Sequence, residues 1–300
     1  MIVVTYRNIF FAITGTVIAA SVVMLAVFGL NIGTDFTGGS LVEVRYEQER
    51  PAIDTLVRTL EEAGLTSVAV RETEGNAYIV RAASLSDETR NALPEAVTMS
   101  GEFAGSIERL TDIGPIIGEE LRTKAFIALF AVVLCIVLYV AFAFRKVSKP
   151  VSSWVYGLIT IVTLVHDILL PLGAFALFGY LWGAQVDTLF VTAMLTILGY
   201  SVHDTIVVFD RTRENLAINQ EQNKREDFEL VAGRAIDQTF GRSVNTSLTT
   251  LAALGALFFF GPVATQDLAL TLIVGVIAGT YSSIALATPL LVAVERWRSK

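Results

Sequence analysis

Six long apolar runs decide most of what this 300-residue chain can become. A helix that crosses a bilayer needs about 20 consecutive, mostly apolar residues. Stretches near 9–30, 125–144, 151–179, 186–209, 244–261 and 268–294 meet that demand. Lipid offers no hydrogen bonds, so each run is expected as a helix that satisfies its own backbone. The first run, Ile9 to Leu30, is longer than the ~7–15 apolar residues of a secretory leader core and has no small-residue cleavage site after it. It reads as a retained span.

The charge is unevenly placed. Residues 31–123 hold eight Lys and Arg against seventeen Asp and Glu, a net of −9, while the whole chain stands at −7. An acidic, water-soluble domain of 31–123 is therefore inserted after a first span at 1–30. A five-helix membrane bundle follows at 124–300, with a loop at 210–243 on the cytoplasmic side. This pattern excludes a simple soluble enzyme and a disordered chain, and it speaks against nucleic acid as a partner. Cys135 is the single cysteine, so no internal disulfide and no multi-cysteine metal site is expected.

Lys and Arg in short loops orient the spans. Arg145, Lys146 and Lys149 lie after the second run, and Arg211, Arg213, Lys224, Arg225, Arg234 and Arg242 lie between the fourth and fifth. Arg296, Arg298 and Lys300 end the chain, whereas 180–185 and 262–267 carry no basic residue. Both termini are thus expected in the cytoplasm and residues 31–123 outside.

Within the insert, Leu41 to Tyr46 alternates as a half-buried strand does. Pro51 opens a helical pattern of Ile53, Leu56, Val57, Leu60 and Ala63 that Gly64 stops. Val68–Arg71 and Tyr78–Arg81 read as strands joined around Gly75-Asn76. Ser86 caps a second helix, and 105–110 reads as a last strand. The order βαββαβ predicts an α+β, ferredoxin-like sandwich. It holds no His, no Cys and no phosphate-binding glycine loop.

Ionisable residues inside spans are rare because each costs at least about 2.5–3.5 kcal/mol at membrane depth, so they are functional candidates. His166 and Asp167 lie in the third run, and His203 and Asp204 in the fourth. Asp204 is the first candidate for a proton carrier. The alternative is an acid that merely ties helices together. Asp210 is expected at the cytoplasmic end of its span, in a cap or an ion pair with a nearby arginine. The fifth run opens with Arg242 and a polar strip, Asn245 with Thr249 and Thr246 with Thr250, four apart on one face. Arg242 is either a cytoplasmic anchor or the partner of a carboxylate on span four. Gly275 and Gly279, followed by Ser282 and Ser283, read as small residues for close helix packing.

At this point the residues resemble a known family. Asp35-Phe36-Thr37-Gly38-Gly39 after the first span, Gly114-Pro115 with Gly118 before the second, Gly199 to Asn215, Gln238 to Ser247, and Gly279 to Ser283 are similar to the signature stretches of the SecD–SecF family of bacterial export subunits, in its smaller, SecF, half. The likeness runs over essentially the whole chain. It implies the resistance–nodulation–division fold: six spans with an outward domain between the first two. It implies a SecD partner, action beside the SecYEG channel with a YajC-like accessory subunit, and use of the proton gradient to help move preproteins across the bacterial cytoplasmic membrane. It places Asp204 and Arg242 on the proton path; His203, His166 and Asp167 remain further candidates as ionisable residues inside spans. Relatives commonly carry Asn where His203 stands. Asp35 to Gly39 and Gly114, Pro115 and Gly118 become the coupling points through which the outer domain moves.

Two other classes stay open: half of a proton-driven small-molecule exporter of the same superfamily, and a non-catalytic scaffold for SecD. No motif supports an enzyme, and no phosphate-binding loop for ATP is present. No cofactor or metal is expected.

Overall fold

The computed structural model describes residues 2–73, 75–144 and 151–298. Arg145, Lys146, Lys149 and Lys300, used above for orientation, lie outside the described residues.

Among the described residues, six helices are long and apolar enough to cross a membrane. Span one is Arg7–Phe28, span two Pro115–Ala143, span three Ser153–Trp182, span four Thr188–Glu221, span five Phe228–Phe260, and span six Val263–Arg298. The chain is thus an α-helical multi-pass membrane protein carrying an inserted antiparallel sheet domain. Spans four and five differ most from expectation. Span four continues past residue 209 to Glu221, and span five begins at Phe228 rather than near 244. The stretch expected as a loop over 210–243 is therefore two helical extensions joined at 222–227. Hydropathy reports only the part of a helix that lipid touches. The extension beyond it is held by polar pairs instead, Arg211 with Glu214 at 2.6 Å and Arg213 with Asp210 at 2.6 Å.

The bundle and the insert are two compact units. The first comprises 1–30, 128–184 and 189–300, and the second comprises 31–127 with Gln185–Thr188. In the bundle, an apolar cluster gathers Val140, Phe144, Tyr156, Val208, Phe209 and Ile236. The rings of Phe144 and Tyr156 stack at 5.1 Å, and Phe209 meets Tyr156 edge-on at 5.1 Å. Span six lies close against span four because a Cβ at Gly275 would come within 2.3 Å of Ile197, and one at Gly279 within 3.0 Å of Ser201. Span six also contains a wide π-helical segment, with i→i+5 bonding, at Ser283–Ala287, and all five of its residues are buried.

The insert folds in the expected βαββαβ order. Strands β1 (Gly39–Tyr46), β2 (Ala69–Thr73), β3 (Ala77–Ala82) and β4 (Gly105–Ile113) form one antiparallel sheet in the order β2-β3-β1-β4. Helices α1 (Ile53–Glu62) and α2 (Asp87–Val97) cover it. The alternation in β1 puts Val42, Val44 and Tyr46 in the core with Leu56, Leu60, Val80 and Leu93. The β2–β3 turn uses Gly75 and Asn76 at φ +71° and +58°, as a tight hairpin needs. Ser86 caps α2 by accepting the Thr89 N–H at 3.2 Å. Pro51 lies two residues before α1, and its carbonyl accepts the Tyr78 hydroxyl at 2.8 Å.

Candidate functional site

Among the described residues, two carboxylates are buried in the bundle. Asp204 on span four accepts the Ser243 hydroxyl of span five at 2.9 Å and the Ser283 hydroxyl of span six at 3.0 Å. Asp167 on span three is fully buried. It accepts from Ser282 of span six at 2.8 Å, from Ser201 of span four, and from the Nδ1 of its neighbour His166 at 2.7 Å. Among the described residues, no Lys or Arg pairs with either carboxylate. Serine hydroxyls supply the hydrogen bonds that a buried carboxylate requires.

The local sequence explains this convergence. Ser201 and Asp204 are three apart, so both sit on the buried stripe of span four. Ser282 and Ser283 are consecutive and diverge by roughly 100° around their helix, so one reaches span three and the other span four. A polar chain continues beside them: Tyr200 meets Ser247 at 3.0 Å, and Ser247 meets Thr280 at 2.5 Å. His166 stacks on Tyr281 at 5.9 Å, and its buried Nε2 has no hydrogen-bond partner among the described residues. The Tyr281 hydroxyl donates to the Phe10 carbonyl at 3.0 Å.

His166, Asp167 and Asp204 are thus brought into one polar core. His203 is not: it lies on the exposed face of span four. Arg242 is exposed as well. The contact expected between Arg242 and a span-four carboxylate is replaced by that of Ser243, because a helix turns only one of two adjacent residues toward a given neighbour. Arg242 instead lines an open groove of about 290 Å³ with Asp210, Glu214 and Gln238. Asp210 forms its ion pair within its own helix, with Arg213. In the polar strip, Thr249 and Thr250 bond back to carbonyls of their own helix, at 2.8 Å and 2.9 Å, rather than to a neighbour. Ser201, Ser243, Ser282 and Ser283 are the residues that sequence reasoning passed over as partners. Their only signal was spacing, one turn or one residue from an acid or a span-lining glycine.

The second candidate site lies in the insert. Gly38 at φ +75° and Gly118 interlock: a Cβ on Gly38 would fall 2.7 Å from the Pro115 Cα, and one on Gly118 2.7 Å from the Gly38 N. Phe36 is buried, and the Thr37 hydroxyl donates to the Gly33 carbonyl at 3.1 Å. Asp35 accepts both the Thr188 N–H at 3.0 Å and its hydroxyl at 2.6 Å. The Gly33 N–H donates to the Val186 carbonyl at 2.8 Å. The two glycine motifs, expected as separate attachments, are therefore one joint that also holds 185–188. Gly114 has open space around it.

A family model described as "Protein export membrane protein SecD/SecF, C-terminal" matches residues 95–297, and one described as "SecD/SecF GG Motif" matches 23–49. The chain is 36% identical over 297 residues to a protein translocase subunit SecF from Anaerolinea thermophila, covering 98% of this chain and 94% of that one. It is 38% identical over 305 residues to a SecF from Thermobaculum terrenum, covering 98% and 93%. Among solved structures it resembles SecDF from Thermus thermophilus, described as a translocon-associated membrane protein, with a TM-score of 0.83 and 33% identity. That match covers 99% of this chain and 38% of the SecDF chain.

Proposed function

The chain belongs to the SecD/SecF family of protein export membrane proteins, and we propose that it serves as the SecF-like subunit that couples proton entry to preprotein export. Its relatives are named protein translocase subunits, which supports a transport role in Sec protein export. The observation that carries the proton reading is Asp204, a buried carboxylate held by one hydroxyl from each of two other spans and paired with no cation among the described residues. A carboxylate so held changes its hydrogen bonds when it gains a proton, and helices that share those bonds can repack between two arrangements. Moving one charge through 100 mV supplies about 2.3 kcal/mol, enough to bias such a pair of states.

In this reading the chain lies in the bacterial inner membrane with both termini cytoplasmic. The basic extensions of spans four and five support that orientation. The insert faces outward, where it braces the exported preprotein beside SecYEG, with a YajC-like subunit as an accessory. SecD supplies the other half of the bundle, as the name and length of the matched SecDF chain suggest. His203, Arg242, Asn245 and Thr249 are exposed polar residues on spans four and five, suited to a hydrated path shared with that partner. His166 and Asp167 form the inner end of the path. The joint at Asp35–Gly39 and Gly114–Gly118 transmits repacking to the insert.

The test is export of a reporter preprotein in vesicles carrying Asp204→Asn, with and without an imposed proton gradient, and with complex abundance measured in parallel. The expected result is loss of the gradient-dependent part of export at normal abundance. Unchanged export would make Asp204 a structural tie and the chain a scaffold for SecD.

A further inference from the structure

Ser282 and Ser283 each face a choice that neither carboxylate faces. A serine hydroxyl has one proton to donate. The Ser283 Oγ lies 3.0 Å from Asp204 Oδ2 and 3.0 Å from the carbonyl of Thr280, three residues back on its own helix. The Ser282 Oγ lies 2.8 Å from Asp167 Oδ2 and 3.1 Å from the Gly279 carbonyl. Both serines sit at the junction where span six widens into its π-helical segment. Such turns inside an otherwise regular helix are frequent at functional sites.

We propose that Ser283 is the positioning residue through which span six reads the charge of Asp204, with the wide turn as the element that responds and Ser282 on Asp167 as its pivot. The proton balance is simple. While Asp204 is a carboxylate, the Ser283 proton points at Oδ2. When Asp204 gains one proton, its new O–H donates to the Ser283 Oγ, and the Ser283 proton swings to the Thr280 carbonyl. One proton is gained in all, at Asp204. A serine bonded to its own helix in this way bends that helix, and here the bend falls where the backbone is already irregular. Ser282 remains on Asp167, which two further donors hold in place, so the movement is confined to the residues beyond it. The titratable groups around the pair are His166 beside Asp167 on span three, Tyr281 on span six and Tyr200 on span four. His203 and Arg242 turn away. The inference rests on the proton reading of Asp204 only for what changes the charge, not for how the charge is read.

Hydrogen exchange of peptides covering 279–290 tests it, in the intact complex in lipid nanodiscs. Asp204→Asn removes the charge at constant shape. It is expected to change exchange of the 283–288 amides about tenfold, and Ser283→Ala is expected to abolish that response, so the double variant matches Ser283→Ala alone. Ser283→Thr keeps the hydroxyl and restores the response, which separates signalling from packing. An unchanged peptide in Asp204→Asn, or a response that survives Ser283→Ala, overturns the proposal. Lowering the pH on the wild-type complex should reproduce the Asp204→Asn pattern. If Asp204→Asn gives the pattern and the pH step does not, the serine latch stands and the proton reading of Asp204 falls.

Discussion

The insert keeps its apolar side chains inside and its ion pairs outside, whereas the bundle also turns large apolar side chains outward and encloses two carboxylates. In the insert, Val42, Val44, Leu56, Leu60 and Val80 are fully buried, while the Arg50–Glu72 and Arg90–Asp112 pairs lie at its surface at 2.6 Å and 2.8 Å. In the bundle, Phe130, Leu134 and Phe142 face outward, while Asp167, Asp204 and Ser201 are enclosed. The difference teaches that one chain is folded by two solvents. Water drives apolar surface together. Lipid does not, so helices associate through close packing and hydrogen bonds instead.

Breaking the comparison starts with the largest effect. Val80→Asp puts an unpaired charge into the core of the insert. It is expected to cost more than about 4 kcal/mol and to expose 31–127 to protease in the intact protein, while the bundle stays folded. Next, Leu56→Ala should cost about 2–5 kcal/mol in pulse proteolysis of the insert, whereas Leu134→Ala on the outer face of span two should cost about 0.5 kcal/mol or less. Equal losses at the two leucines would mean that the same force holds both units. Asp112 sharpens the comparison through pH. Burial pushes its carboxyl up, but hydrogen bonds from the Ser40 and Ser84 hydroxyls and the Leu85 N–H, with Arg90 beside it, hold it below the usual carboxylate range. A group lowered in the fold stabilises it above the unfolded value of about 3.9, and that contribution is lost as pH falls through the folded value. Asp112→Asn should therefore weaken the insert by about 1–2 kcal/mol at pH 7, and the two proteins should converge in strong acid. The smallest effect belongs to Glu72→Gln. Its exposed pair with Arg50 should be worth about 0.2–1 kcal/mol and fade with added salt.

The same contrast explains what could be read in advance. The six spans were legible because lipid sets a minimum length and forbids long polar interruption. The insert was legible because its strands alternate and its turns carry Gly75, Asn76 and Ser86. The helical extension after Asp210 was hidden because nothing in Arg211, Glu214 and Asn215 distinguishes a solvated helix from a loop. The serine partners of the two acids were hidden for another reason. Serine is at home in turns, on surfaces and at helix contacts alike, and only the rotation of span six decides that Ser282 meets Asp167 and Ser283 meets Asp204. Arg242 and Ser243 show how fine that decision is: one residue of helical phase separates the exposed side chain from the one that reaches Asp204.

The hold of Asp35 on Thr188 sets a schedule for biosynthesis. Residues 31–127 leave the ribosome well before Gln185–Thr188, which complete the same unit. Roughly 60 residues separate them, about 3–12 s of synthesis at 5–20 residues per second. During that interval the Asp35 carboxylate and the Gly33 N–H have neither Thr188 nor Val186 to bond with. The insert is thus finished only when span three and the first residue of span four have been made, and a nascent chain stalled before Thr188 would carry a nearly folded domain with Asp35 and Gly33 still unbonded there.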